Sequence, residues 1–145
     1  MRFEFPDAWY DLFNRPAATP IETSFSITDA DFPPNLLDLR MTNVVLQVRF
    51  RDTVTPLDIT SLRFVATAGA ALDGGAVRLD STGVVSTRRA NGSNWLAIVN
   101  GAAAIVPAGT WRLRFADTAQ PQFSGDAIDD ILFAITFEAT LPPWP

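Results

Sequence analysis

The strongest constraint on the fold of this chain is an alternation of apolar and polar residues at every second position. Residues 41–51 place four large apolar side chains, from Val44 to Phe50, on one side of an extended backbone, with polar residues between them. Successive side chains of a β-strand point to opposite faces, so this pattern predicts a strand with one buried and one solvent-facing side. Residues 111–115 and 131–138 repeat the pattern and predict two further strands.

Six shorter segments also have the length of strands and lie between turn residues. Asn100-Gly101 suits the positive φ angles that a type I′ hairpin turn requires, and Asp73-Gly74-Gly75 and Asn91-Gly92-Ser93 are similar turn sequences. No window in this central stretch has the 3.6-residue apolar period of the helices that a parallel sheet needs. We therefore expect about nine antiparallel strands, the shorter ones at 21–28, 59–66, 76–80, 84–88, 95–99 and 102–106.

The expected fold is an all-β, antiparallel β-sandwich, jelly-roll-like, with eight or nine strands, and a closed barrel is the alternative. The last long strand, at 130–141, is expected to lie centrally in its sheet. The phase of the alternation places one set of apolar side chains in a common core. This predicted core consists of Val44, Leu46, Val48, Phe64, Trp111, Leu113, Phe115, Ile131, Phe133 and Ile135.

The chain length of 145 residues is close to the commonest size of a single domain. Within residues 1–20, a short helix is predicted at 7–13, where aromatic residues fall at helical spacing after Pro6. A segment this short cannot form its own core, so we expect it to pack against the sandwich as a lid. The prolines at 32–35 and 142–145 predict a loop and an extended tail, because proline lacks a backbone donor.

The composition excludes several classes of function. The chain has 16 acidic and 11 basic residues, a net charge of −5, and no His, Cys or Lys. Nucleic acid is therefore not an expected partner, and catalytic triads, zinc sites and thiol chemistry lack their residues. The N-terminus lacks the apolar stretch of a signal peptide, and no run approaches the roughly 20 apolar residues of a membrane span. We predict that the protein is not an enzyme and carries no organic cofactor.

Carboxylates are the titratable groups that remain for metal binding or catalysis. Asp126, Asp129 and Asp130 cluster just before the last strand, where they are candidate ligands for calcium or a candidate pair of glycosidase acids. Asp is also common in turns, because its side chain bonds to its own backbone, and we favour this structural interpretation. Asp29 and Asp31 raise the same alternatives between calcium and a turn.

Arginine supplies all of the positive charge of the side chains. Arg49, Arg51, Arg112 and Arg114 fall on the predicted solvent-facing sides of their strands. The planar guanidinium group suits carboxylates and sulfates, so these side chains form a candidate stripe for an anion or a protein partner. The alternative interpretation is pairing with acidic residues on neighbouring strands.

Aromatic side chains are the second kind of candidate contact, since many carbohydrate-binding sandwiches stack exposed aromatic rings on sugars. Trp111 alternates in phase with the predicted core, whereas Trp95 lies at a predicted hairpin edge, where sugar stacking competes with core packing. Trp9 and Tyr10 belong to the N-terminal aromatic segment, and Trp144 lies between prolines near the end of the chain. We expect these three to dock on the sandwich or to contact a neighbouring molecule.

Three stretches of the chain resemble a known family. They are residues 5–12 (Phe-Pro-Asp-Ala-Trp-Tyr-Asp-Leu), residues 31–36 (Asp-Phe-Pro-Pro-Asn-Leu) leading into 44–50, and residues 107–113 (Pro-Ala-Gly-Thr-Trp-Arg-Leu) followed by 128–133 (Ile-Asp-Asp-Ile-Leu-Phe). Together they resemble the C-terminal β-sandwich region of the A subunits of bacterial insecticidal toxin complexes (Tc toxins) and their relatives. The A subunit of that family forms a pore and carries receptor-binding and shell domains.

The resemblance implies a non-enzymatic structural or receptor-recognition domain of a large bacterial toxin-complex-like protein with a role in virulence. Its partners would be other domains or subunits of the assembly, or a cell-surface glycan or receptor. Its location would be a secreted or cell-associated assembly, made first in the cytoplasm. No catalytic residue is carried over, because the shared motifs are packing signatures. A free-standing carbohydrate-binding module is the alternative function, and a hydrolase that uses only carboxylates is the third.

Overall fold

Two antiparallel β-sheets form the body of the protein in the computed structural model, which describes residues 1, 3–14, 20–67, 69, 71–101 and 107–143. Three 3₁₀ helices, Asp29–Asp31, Ala90–Trp95 and Asp117–Ala119, connect the longer elements of this described part. In chain order these longer elements are α1 (Pro6–Phe13), β1 (Ile21–Ile27), β2 (Leu37–Phe50), β3 (Asp58–Ala66), β4 (Ala71–Gly74), β5 (Val77–Arg78), β6 (Val84–Ser86), α2 (Leu96–Gly101), β7 (Gly109–Phe115), α3 (Gln120–Ser124) and β8 (Ile128–Thr140).

The larger sheet has the strand order β1-β7-β3-β4, with β5 also paired to β3, and the smaller sheet has the order β6-β2-β8. Every strand pair is antiparallel. These eight strands confirm the prediction of an all-β, antiparallel, sandwich-like fold. The expectation that the last long strand lies centrally is wrong: β2 is the central strand of the smaller sheet, and β8 lies at its edge.

The core lies between the two sheets, as the alternation predicts. All ten predicted core residues belong to one apolar cluster, in which Phe133 and Ile135 are partly buried and the other eight are buried. Aromatic rings link the sheets, because the ring of Phe133 in β8 lies 5.0 Å from the rings of Phe25 in β1 and Trp111 in β7. Burying the apolar faces of both sheets in one cluster supplies the main driving force for this fold.

Two helical segments pack against the sandwich. The N-terminal helix α1 confirms the helix predicted at 7–13, and it buries Ala8 and Leu12 beside β1. The Thr23 hydroxyl of β1 donates a hydrogen bond to the Ala8 carbonyl at 3.0 Å, and the ring of Phe13 lies 5.1 Å from that of Phe123 in α3. The aromatic N-terminal segment therefore packs on the body, as expected from the area that it would otherwise expose.

The second helical segment replaces a predicted strand. Residues 95–99 were expected to form a strand followed by a hairpin turn at Asn100-Gly101, but the chain forms the 3₁₀ helix Ala90–Trp95 and then α2, which contains both turn residues. Both predictions are wrong, because Trp95, Ile98 and Val99 are spaced to share one face of a helix, and all three are buried. The predicted strand at 102–106 lies outside the described residues.

Around β4 the predicted turn is also wrong. Gly74 belongs to this strand, and a Cβ atom there would lie 2.6 Å from Cδ1 of Trp95, so the residue allows close packing rather than a turn. The predicted strands at 76–80 and 84–88 are shortened to β5 and β6. The loop predicted at 32–35 is confirmed, and the last two residues of the predicted tail lie outside the described residues. No described helix has the length and apolar character to cross a membrane.

Candidate functional site

The backbone of β8 presents an unpaired edge, which can be derived from the hydrogen bonds of its neighbour β2. The Val48 amide donates to the Gly83 carbonyl at 2.8 Å and the Val44 amide donates to the Thr87 hydroxyl at 3.0 Å, so these residues direct their backbone groups away from β8. Antiparallel strands alternate hydrogen-bonded and non-bonded residue pairs. Opposite Val48 and Val44 lie Ile131 and Ile135, whose own backbone groups therefore point to the outer edge of the sheet.

The start of this edge is covered by the protein itself. The Ile131 carbonyl accepts a hydrogen bond from the Met1 nitrogen at 2.8 Å, and the Ile131 amide donates to Oδ1 of Asp130 at 2.8 Å. Farther along, the amides and carbonyls of Phe133 and Ile135 face no other strand within the part of the chain that the structure describes. We call the stretch 133–137 the open edge.

The open edge is apolar and uncharged. Its sequence, Phe-Ala-Ile-Thr-Phe, contains no charge and no proline, the two devices with which most exposed edge strands avoid pairing. Leu132 just before it is 43% exposed. Glu138 just after it is held on β2 by Arg40, whose Nη2 atom lies 2.7 Å from the carboxylate. The open edge therefore offers hydrogen-bonding groups between partly exposed apolar side chains.

A second surface is the outer face of the larger sheet. Arg112 and Arg114 project from β7 onto this face, and Arg63 projects from β3 directly opposite Arg112. Arg63 lies 3.7 Å from a carboxylate oxygen of Asp73 on β4. Among the residues that the structure describes, no carboxylate lies within 4 Å of Arg112 or Arg114. We call the three arginines the arginine face.

The four predicted arginines do not form one stripe. Arg49 lies on β2 in the smaller sheet and Arg51 directly follows that strand, whereas Arg112 and Arg114 lie on β7 in the larger sheet, so the two pairs are separate. Arg49 lies 3.6 Å from Asp129, and Arg51 lies 3.1 Å from Asp126. Arg49 and Arg51 therefore pair with acidic residues, which is the alternative interpretation. Arg112 and Arg114 remain exposed and are still candidates for contact with a partner.

The predicted carboxylate cluster does not converge on one point. Asp126 pairs with Arg51 and Asp129 with Arg49, while Asp130 contacts the Met1 nitrogen and the Ile131 amide. In the described ranges, no three acidic, histidine or cysteine side chains are grouped so that they could hold a metal ion. Asp31 accepts hydrogen bonds from the amide and hydroxyl of Thr28, which is the turn role of an aspartate. Calcium binding at these residues gains no support from the geometry.

The described tryptophans do not form a platform for sugars. Trp95 and Trp111 are fully buried, and the Trp95 indole nitrogen donates to the Gly75 carbonyl at 3.1 Å. Trp9 is half-buried and stacks on Phe13 with ring centroids 4.2 Å apart. Tyr10 is exposed beside it, and Trp144 lies outside the described residues. Core packing thus replaces the sugar-stacking role considered for Trp95, and a coplanar exposed pair is absent among these described rings.

A polar network that the sequence did not single out fixes the loops beyond β5 and β6. Hydrogen bonds from the Thr82 hydroxyl and the Val84 amide lower the pKa of Asp80 to about 2, and Arg89 lies 2.7 Å from the same carboxylate. The Asp-x-Thr spacing at 80–82 is a local signal that could have predicted this turn.

A polar groove of about 380 Å³ lies in this region between β3, β5 and the 3₁₀ helix Ala90–Trp95. Its charged groups are already paired, because Arg78 donates two hydrogen bonds to Asp58 and thereby lowers the pKa of that carboxyl below its usual value. The amide of Asn91 donates to the carbonyls of Arg78 and Val84. These contacts fix loops and leave no pair of facing acids that could act together on a substrate.

Comparison with known proteins identifies no relative. No family model, curated protein or solved structure matches this chain.

Proposed function

We propose that this protein is a non-enzymatic recognition domain that binds an extended segment of another polypeptide by strand addition to the open edge. The single observation that carries the proposal is the orientation of the Phe133 and Ile135 backbone groups, which point away from β2 beside partly exposed apolar side chains. Strand addition satisfies such groups with main-chain hydrogen bonds, and side-chain pockets on alternate positions supply specificity.

The remaining groups support a binding role over catalysis. The chain has no His, Cys or Lys, and Asp58, Asp80 and Asp126 are each held by an arginine. A general acid or base needs a carboxyl aimed at substrate in a cleft, which these paired groups do not provide. We therefore expect no turnover of chromogenic glycosides or esters.

We also propose, from the resemblance of the three quoted stretches, that this domain works within a large toxin-complex-like assembly. An open edge suits such a setting, because strand pairing between domains or subunits creates a continuous sheet. The coding sequence that flanks this chain tests the setting directly: further toxin-subunit domains would support it, and unrelated flanking genes would contradict it.

Amide hydrogen exchange tests the open edge in the protein alone. We expect the amides of Phe133 and Ile135 to exchange rapidly, because no strand of the described residues pairs with them. The amide of Ala134, which lies between them and faces β2 opposite Val45, is the internal control and should be protected. Strong protection of Phe133 and Ile135 in the monomer would mean that the edge is covered, and the proposal would fail.

Selection from a library of short random peptides tests the binding itself. We expect selected peptides with alternating apolar residues, and we expect their binding to protect the amides of Phe133 and Ile135. Ala134→Lys with Thr136→Lys should abolish binding, since lysines on an edge strand oppose strand addition. Gln47→Lys adds a lysine to the central strand β2 instead of the edge strand and should leave binding unchanged. Failure to select any peptide, or equal loss in all variants, would contradict the proposal.

A further inference from the structure

The arginine face combines two electrostatically unfavourable features in a protein with excess negative charge. Arg63 and Arg112 lie directly opposite each other on paired strands, and like charges in that position destabilise a sheet. Arg112 and Arg114 have no carboxylate within 4 Å in the described part of the chain, although acidic residues outnumber basic ones by 16 to 11. Pairing within the fold therefore does not explain these two side chains.

Acidic residues bound the arginine face on both sides. Across the sheet, Asp73 lies beyond Arg63 on β4, and Glu22 lies opposite Arg114 on β1. Small hydroxyl side chains lie beside the arginines, Ser24 opposite Arg112 on β1 and Ser61 opposite Arg114 on β3. The positive area is thus only about two strands wide, with serine hydroxyl groups beside its arginines.

From this arrangement we propose that the arginine face binds a short acidic segment of a protein partner in an extended conformation. Arg112 and Arg114 lie two residues apart on β7, a spacing of about 6.8 Å along a strand. An extended peptide presents alternate side chains at the same spacing, so two carboxylates separated by one residue would meet the two guanidinium groups. Each arginine offers a planar fork of donors that matches a carboxylate.

The flanking acids favour a short acidic segment over a uniformly anionic polymer. A long polysulfate would extend its charges past the arginines and over Asp73 and Glu22, where like charges repel. A segment with only two acidic residues and neutral neighbours avoids that repulsion. This site lies on the larger sheet, whereas the open edge belongs to the smaller one. Loss of binding at one site therefore does not imply loss of binding at the other.

Binding of a labelled synthetic peptide, Thr-Glu-Thr-Glu-Thr, measured by fluorescence anisotropy at low salt, tests the proposal. We expect binding that weakens as salt is added, and about tenfold weaker binding of the Thr-Gln-Thr-Gln-Thr peptide, which lacks the same two ion pairs. The double variant Arg112→Gln with Arg114→Gln should weaken binding about tenfold, the combined effect of two exposed ion pairs. Arg88→Gln is the control for the loss of one positive charge elsewhere and is compared with Arg112→Gln alone, because Arg88 is exposed after β6 and also lacks a carboxylate within 4 Å among described residues.

Heparin serves as the competing anion in the same assay. Weaker binding of heparin than of the glutamate peptide supports the proposal, and tighter binding that depends on the same arginines overturns it in favour of a sulfated glycan. Absence of peptide binding, or equal loss in Arg88→Gln, also overturns it. Urea unfolding supplies a second readout: Arg112→Gln should keep or raise the midpoint, since it removes a like-charge contact with Arg63. A clear fall in the midpoint would assign Arg112 a structural role instead.

Discussion

At the scale of single residues, Phe133 links the two sheets through aromatic contacts. Its ring lies 5.0 Å from the rings of Phe25 and Trp111, and its side chain is partly buried. We expect Phe133→Ala to lower the free energy of unfolding by about 3 kcal/mol, the low end for loss of a large core side chain. Leu132→Ala, the exposed neighbour on β8, is the control and should cost less than about 1 kcal/mol in the same urea melts. Equal losses would mean that the strand is assigned the wrong phase.

Asp80 gives the protein a specific dependence on acid. Hydrogen bonds from Thr82 and Val84 lower its pKa to about 2 in the folded state, below the value of about 3.9 for an unperturbed aspartate. Its contribution to stability is therefore present above about pH 4 and is lost as the pH falls toward 2.

The variant Asp80→Asn tests this dependence. Between about pH 5 and pH 2, the wild-type protein should lose about 1 to 2 kcal/mol more stability than Asp80→Asn. Asp52→Asn removes an equal charge from an exposed loop and is the control, which should follow the wild type. The measurement is a series of urea melts at each pH. Parallel curves for the wild type and Asp80→Asn would show that the network around Asp80 adds nothing.

At the scale of elements, the long strands β2, β7 and β8 follow from the sequence because each buries one face and exposes part of the other. The segment at 95–101 does not, because its apolar run fits a strand and a buried helix equally well. Asn100-Gly101 adds to the ambiguity, since glycine after a helix and glycine in a hairpin turn both use its conformational freedom. Packing of Trp95 against Gly74 decides between them, and that contact joins residues that are distant in the chain.

Within the candidate sites, the exposure of a side chain on its strand is predictable from the sequence, whereas contacts between strands are not. Exposure of Arg112 and Arg114 follows from alternation within β7, and the structure agrees. The pairing of Arg49 with Asp129 and the open edge depend on which strands are neighbours, and no local pattern specifies that order. A strand at the edge of a sheet and a strand at its centre have the same side-chain period.

The N-terminal helix α1 offers a test of packing at this scale. Leu12 is fully buried against the body, whereas Tyr10 on the other side of the helix is 63% exposed. We expect Leu12→Ala to lower the free energy of unfolding by about 2 to 3 kcal/mol, and Tyr10→Ala to change it by less than about 0.5 kcal/mol. Thermal and urea melts measure both. A neutral Leu12→Ala, together with self-association that depends on Tyr10, would identify α1 as a contact for another molecule.

At the scale of the whole molecule, one apolar cluster contains residues of both sheets, of α1 and of α2. Elements that share one core unfold together in most small domains. We therefore expect a single cooperative transition in urea, with the same midpoint by tryptophan fluorescence and by far-UV circular dichroism. The described tryptophans sample three regions, since Trp9 lies in α1, Trp95 beside α2 and Trp111 between the sheets.

The variant Leu12→Ala tests whether α1 unfolds together with the sandwich, because it weakens only the packing of α1. If the molecule is one cooperative unit, the fluorescence and dichroism midpoints should both fall by the same amount and each curve should keep a single step. Trp9→Phe in the same background removes the signal of α1 and should leave the fluorescence midpoint unchanged. A fluorescence change that precedes loss of the sheets, and that disappears with Trp9→Phe, would show instead that α1 detaches before the sandwich unfolds.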